Sequence, residues 1–207
     1  MSKNEELFNA IIGGKREDVT RVVQEQIDGE SDLTDVLVGS MIPAMREIGA
    51  RFSRNEVYVP QMLMAARAMQ AGLDLIEPLL ADAGHEPAGK VAIGTVKGDL
   101  HDIGKNLVAI MVKGAGYEVI DLGVDCDVAK YEEGCAAGAQ VVMLSALLTT
   151  TMPYMKEVVE HFKAKDSAPK IIIGGAPVTQ KYADEIGADG YSPDANKAID
   201  VLEAALA

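Results

Sequence analysis

The chain has no apolar run approaching the ~18 residues that a membrane-spanning helix needs. Its start, MSKNEELFNA, also lacks the apolar stretch of a secretory signal. Together these absences predict a cytoplasmic protein with no membrane partner. Cysteine is scarce: Cys126 and Cys135 are the only two, and they make neither a CxxC pair nor a disulfide framework. Both are expected to pack as small hydrophobes, Cys126 near a strand end and Cys135 in a helix. Basic residues are outnumbered, with 19 Lys and Arg against 32 Asp and Glu and a net charge of −13. Phosphate binding needs clustered Lys and Arg, so nucleic acid is not expected as a partner. An acidic chain can instead dock on a basic surface of another protein. Histidine is equally sparse, at three. A self-contained zinc or iron centre needs three or four ligands at suitable spacing. His85 falls in a linker, His161 on a solvated helix face and the cysteines beside neither, so a protein-built metal cage is not expected.

What is present is ordinary for a globular chain: 207 residues, 48% hydrophobic and 25% charged. That length holds one large domain or two small ones. Residues 4 to about 83 read as helices throughout. NEELFNAIIGG is short and ends on Gly13-Gly14, and REDVTRVVQEQIDG spaces Val19, Val22, Val23 and Ile27 at helical intervals before Gly29. Ser31 is the expected N-cap of DLTDVLVGSMIPAMREIGARFS, which Pro43 is expected to bend. A break at RNEVYV leads to Pro60, suited to the first turn of the last helix. Four amphipathic helices with short connections predict a helical bundle over residues 1–86.

After the linker GHEPAG the period changes. Five apolar runs follow, KVAIGT, YEVIDLG, VVMLSAL, KIIIGG and the weaker ADGYS, each succeeded by a helical stretch. Strands apolar on both faces, alternating with helices, make a parallel sheet covered on both sides. Residues 89–207 therefore read as a five-stranded, flavodoxin-like (Rossmann-like) sheet, and the whole chain as α + α/β.

In such a sheet ligands bind beyond the carboxyl ends of the strands, near the switch point between the first and third. Unusual residues gather there. The first strand is followed by KGDLHDIG, the third by SALLTTT and the fourth by GGAP, whose glycines let a ligand approach the backbone. The loop after the second strand, GVDCDV, shows no comparable constellation. In the first loop His101 stands between Asp99 and Asp102. A carboxylate that accepts a proton from one imidazole nitrogen fixes the tautomer and raises the basicity of the other. That arrangement serves a general base, a metal ligand, or local loop structure alone. A phosphoacceptor receiver would need a carboxylate after the third strand, where the chain has SAL. A nucleophile elbow would need GxSxG around Ser145, which lies in LSALL. What is left is a single protein ligand for a metal that arrives enclosed in a macrocycle.

GDLHDIG matches DxHxxG as Asp99-x-His101-x-x-Gly104, and SAL at Ser145–Leu147 and GG at Gly174-Gly175 follow in order. On these three motifs the chain resembles cobalamin-binding domains. AMREIGARFSRNEVYVPQMLMAARAM in the helical half is similar to the cap domain of methionine synthase and of corrinoid methyl-carrier proteins of anaerobic methyltransferase systems. The resemblance covers almost the whole chain. It implies a cofactor, cobalamin or a related corrinoid, cycling between methylcob(III)alamin and cob(I)alamin. It implies that His101 displaces the cofactor's own lower base and ligates cobalt, within a loop of Gly98, Asp99, Leu100, His101, Asp102, Ile103 and Gly104. Asp99 would hydrogen-bond His101, with Thr151 where the family often has a serine. Ser145, Leu147 and Thr149 would line the slot for the detached nucleotide tail, with Gly174 and Gly175 giving it room and Ala195 nearby. In the cap, Tyr58 and Met62 are the candidates for covering the cofactor, while most of the neighbouring methionines fill the bundle.

The same resemblance implies a methyl carrier rather than an enzyme acting alone, in one-carbon metabolism of the methanogenic or acetogenic kind. A substrate-specific methyltransferase would load the methyl group, a second methyltransferase would pass it to a folate or a thiol, and a reductive activase would restore the cofactor. The linker would let the cap swing aside. Two alternatives share the sheet and motifs. The small subunit of an adenosylcobalamin mutase usually lacks such a cap. A cobalamin-sensing module would need a DNA-binding or signalling domain, and the acidic helical half has no basic recognition helix.

Overall fold

The computed structural model describes residues 3–165 and 167–207. The chain divides into two compact units, one running up to Pro87 with Gly114–Gly116, the other Ala88–Lys113 with Tyr117–Ala207.

The first unit is helical. It comprises α1 (Glu5–Ile12), α2 (Arg16–Asp28), α3 (Leu33–Val36), α4 (Ile42–Ser53) and α5 (Val59–Asp82). Asn4 starts α1 by accepting from the Leu7 N–H at 3.0 Å. The apolar stripe of α2, Val19, Val22 and Val23, is buried. Gly72 of α5 lets that stripe come close, since a Cβ there would lie 2.7 Å from Met41 and 3.0 Å from Val19. The expected Ser31 cap is instead Asp32, which accepts from the Thr34 and Asp35 N–H groups. Ser31 is taken up elsewhere, donating its hydroxyl to Gln26 at 3.1 Å. At Pro43 the expected bend is a π-helical turn, Leu37–Met41, joining α3 to α4. Pro43 has no N–H to give and its ring crowds the carbonyl one turn back. The wider turn accommodates both, with the Ile42 N–H donating to the Leu37 carbonyl five residues earlier. Pro60 lies in the first turn of α5, and Gln61 accepts from the Tyr58 N–H at 2.7 Å.

The second unit alternates β1 (Lys90–Val96), α6 (Ile103–Gly114), β2 (Glu118–Cys126), α7 (Val128–Ala136), β3 (Val141–Ser145), α8 (Pro153–Lys163), β4 (Lys170–Gly174), α9 (Gln180–Ile186), β5 (Gly190–Ser192) and α10 (Lys197–Leu206). All five strands are parallel in the order β2-β1-β3-β4-β5, the predicted flavodoxin-like arrangement. The chain reverses direction across the sheet between β1 and β3. The central strands are buried on both faces, and Val142, Leu144, Ile171 and Ile173 pack with Met155, Val159 and Phe162. Burying one such aliphatic side chain stabilises the fold by roughly 1.5–3 kcal/mol. Cys126 is buried in this cluster and Cys135 packs against it, and burial raises both thiol pKa values.

β2 runs further than its sequence pattern predicts, to Cys126, and its register against β1 shifts around Gly94. The GVDC segment is therefore strand, not loop. Among the described residues no helix is long and apolar enough to cross a membrane.

Candidate corrinoid site

The carboxyl ends of four strands lie side by side in register. Thr95 pairs with Ser145, Ser145 with Gly174, and Gly174 with Ser192. Small and hydroxyl-bearing residues thus form one row across β1, β3, β4 and β5 at the switch point. Gly175, just beyond it, has φ +132, and a Cβ there would lie 1.9 Å from the Ala146 carbonyl oxygen. Only glycine lets these backbones approach so closely.

Asp99 organises the loop after β1. Its side chain is fully buried and accepts five hydrogen bonds. Oδ1 takes the His101 ring at 2.7 Å and the His101 N–H at 3.1 Å. Oδ2 takes the Leu147 N–H at 2.8 Å, the Leu148 N–H at 3.3 Å and the Thr151 hydroxyl at 2.8 Å. Burial pushes the carboxyl pKa up, but the donors from Leu147, His101 and Thr151 outweigh it and hold Asp99 well below the usual carboxylate range. An ionised carboxylate can only accept, so Nδ1 is the donor of this bond and Nε2 is the ring nitrogen that Asp99 leaves unengaged. The His101 side chain is 51% exposed while that of Asp99 is 0%. A buried anion therefore orients an outward-facing imidazole.

Of the two carboxylates flanking His101 in sequence, only Asp99 bonds it. Asp102 sits at the start of α6, where its side chain accepts from the Asn106 amide at 3.0 Å. Two further anchors were not evident from sequence. Thr95, fully buried, donates its hydroxyl to the His101 carbonyl at 2.9 Å. Asp125, near the end of β2, accepts from the Gly98 N–H at 2.7 Å and gives its own N–H to the Asp99 carbonyl at 3.1 Å. Both ends of that contact are left-handed, with φ +83 at Gly98 and +51 at Asp125. The GVDCDV segment, which shows no comparable constellation in sequence, therefore supplies a strut, because β2 extends far enough to carry Asp125 there.

The loops around His101 expose large aliphatic side chains. Leu100 and Ile103 are 70% and 73% exposed, and Leu147 and Leu148 are 44% and 41%. Gly104 and Thr149 are exposed beside them, Ser145 is half-buried and Ala195 is buried. Tyr58 and Met62 belong to the helical unit: Tyr58 is exposed, whereas Met62 is fully buried, where a packing methionine goes. Among the described residues no group of three or more His, Cys, Asp or Glu could hold a metal ion. The donor set thus offers one imidazole oriented by a buried carboxylate, a row of small residues along the strand ends and exposed aliphatic side chains beside it. It would suit a metal held mainly by its own macrocycle, which would take one ligand from the protein.

Comparison with known proteins agrees with this chemistry. Models of the B12 binding domain match residues 89–200 and residues 4–77. A corrinoid protein of Desulfitobacterium hafniense is 40% identical, covering 100% of this chain and 98% of its own. A dimethylamine corrinoid protein of Methanosarcina acetivorans is 38% identical over 96% of each chain. Among solved structures, a cobalamin-binding protein from Desulfitobacterium hafniense superposes with a TM-score of 0.79 at 28% identity, covering 98% of both chains. A chain of the methanol:cobalamin methyltransferase complex from Methanosarcina barkeri superposes with a TM-score of 0.84 at 26% identity, covering 96% of this chain and 77% of that one. The chain belongs to the B12-binding family of corrinoid proteins. Its cofactor is a corrinoid, and its architecture is a helical unit followed by a Rossmann-like domain.

Proposed function

We propose that this protein carries a methyl group on a bound corrinoid between a substrate-specific methyltransferase and a second methyltransferase that delivers it to a folate or a thiol. The observation that carries this reading is the exposed His101 imidazole, bonded through Nδ1 to the buried Asp99 carboxyl group so that Nε2 is left to meet a ligand. When bound, the corrinoid supplies a cobalt centre able to take up and release a methyl group. His101 would supply the protein's ligand to that cobalt through Nε2. Asp99 keeps the ring in the tautomer that can ligate, and the Thr151 hydroxyl and the Leu147 and Leu148 N–H groups keep Asp99 ionised. Gly98, Leu100, Asp102, Ile103 and Gly104 shape the loop around the ligand. Ser145, Leu147, Thr149, Gly174 and Gly175 would meet the nucleotide tail, with the buried Ala195 a further candidate.

The relatives support methyltransferase partners, since one is a chain of a methanol:cobalamin methyltransferase complex and another is a dimethylamine corrinoid protein. The partner, not this chain, activates the donor, and a reductive activase restores cofactor that has become oxidised. Tyr58 in the helical unit is proposed to shelter the reactive face of the cofactor.

The test loads the protein with reduced corrinoid and adds candidate methyltransferases, each with its methylated substrate, while recording the visible spectrum of the bound cofactor. Methylation that depends on a partner is expected. Steady turnover by this chain alone contradicts the carrier reading, as does preferential retention of adenosylcobalamin with isomerase activity beside a larger subunit.

A further inference from the structure

We propose that Thr95 is a positioning residue that sets the reach of His101. The inference rests on the reading of His101 as the axial ligand. Thr95 lies one residue before the end of β1, fully buried, in register with Ser145 of β3. A buried hydroxyl needs a partner, and this one donates across six residues of chain to the His101 carbonyl at 2.9 Å. The loop is thereby closed onto its own strand.

His101 is held on both sides of its Cα. Its N–H is bound to Asp99 Oδ1 and its carbonyl to Thr95, while the ring Nδ1–H goes to the same Asp99 oxygen. Two bonds orient the backbone and the third orients the ring, so the position of Nε2 follows from all three. Asp99 alone leaves the carbonyl side free to swing, and with it the position of Nε2. A ligand atom must be held to within about half an ångström to work well. Thr95 is placed to supply that precision from a rigid strand rather than from the loop.

The test uses methylcobalamin as the probe on three variants: Thr95→Val, which keeps the branched shape and loses the hydroxyl, and the pair Thr95→Ser and Thr95→Cys, which differ by a single atom. Thermal unfolding is recorded first, and the visible spectrum of His101→Ala gives the signature of unligated cofactor. Thr95→Ser should keep the spectrum of the unsubstituted protein. Thr95→Val and Thr95→Cys should shift towards that of His101→Ala, with affinity weakened about two- to tenfold, the value of one hydrogen bond. If Thr95→Val does not fold, the Ser–Cys pair carries the same comparison. Spectra and affinities unchanged in every folded variant overturn the proposal, as does a loss in Thr95→Ser equal to that in Thr95→Val, which would show that the site responds to any change of shape and not to the hydroxyl. Failure of the folded, unsubstituted protein to retain methylcobalamin is a separate result, and it overturns the axial-ligand reading together with the proposal.

Discussion

Asp99 binds His101 twice through one oxygen: Oδ1 accepts the ring Nδ1–H at 2.7 Å and the backbone N–H at 3.1 Å. The other oxygen is saturated by the segment that follows β3. The carboxylate therefore joins two loops from the two strands that flank the switch point. The hydrogen bonds that lower its pKa include the one that orients the imidazole. Replacing Asp99 should disturb both the joined loops and the imidazole.

Asp99→Asn should cost about 1–3 kcal/mol at neutral pH, because the donors that faced an anion would meet an amide. The folded-state pKa of Asp99 lies below its unfolded value of about 3.9. Its contribution is therefore fully present above that value and is lost as pH falls towards the folded pKa. The stability gap between the unsubstituted protein and Asp99→Asn should be widest at pH 5–7 and shrink below about pH 4. Urea unfolding of both proteins across that range measures it, and a gap independent of pH would contradict the assignment.

Thr151 donates to Asp99 Oδ2 at 2.8 Å, with the Leu148 carbonyl a competing acceptor at 2.9 Å. A hydroxyl has one proton, and the charged acceptor is the stronger one. Thr151→Ser should fall within about 0.5 kcal/mol of the unsubstituted protein, whereas Thr151→Val should lose roughly 1.5–3 kcal/mol. Chemical denaturation of the pair distinguishes the hydroxyl from the methyl.

Gly174 and Gly175 are adjacent but not equivalent. A Cβ on Gly174 would stand 3.1 Å from the Ser192 carbonyl oxygen, and one on Gly175 would collide with that of Ala146 at 1.9 Å while also occupying a left-handed backbone. Gly175→Ala should cost at least about 2 kcal/mol, and clearly more than Gly174→Ala. Melting temperatures in the absence of cofactor report this directly.

Asp125 combines a left-handed backbone with an acceptor for the Gly98 N–H. Asparagine tolerates that conformation and keeps the acceptor, while alanine does neither. Asp125→Ala should therefore be less stable than Asp125→Asn by about 1–2 kcal/mol. Equal stabilities would show that the strut carries no load.

Much of this was legible because it is local. The strand-helix alternation follows from apolar periodicity, and the parallel sheet from strands apolar on both faces. The loop after β1 announced itself through a histidine between two aspartates with glycines on either side. What escaped sequence reading depends on contacts between distant segments. The Thr95 hydroxyl reaches the His101 carbonyl only because the loop folds back. Asp125 enters the site only because β2 continues past its obvious apolar stretch, through a register shift against β1. Asp99 as the partner of His101 was legible through the resemblance, and Asp102 is taken up at the start of α6 by Asn106. Asp32 displaced Ser31 as a cap because Ser31 had already bonded Gln26. A strained Asp125 is the kind of signal that a backbone shows and a sequence does not.

The central claim is that His101 is the protein's ligand to cobalt. Apoprotein and the His101→Ala variant, each mixed with methylcobalamin and desalted, should give different visible spectra, with stoichiometric cofactor retained by the unsubstituted protein and a changed spectrum or lost cofactor in the variant. Identical spectra with equal retention would show that cobalt takes its lower ligand from elsewhere.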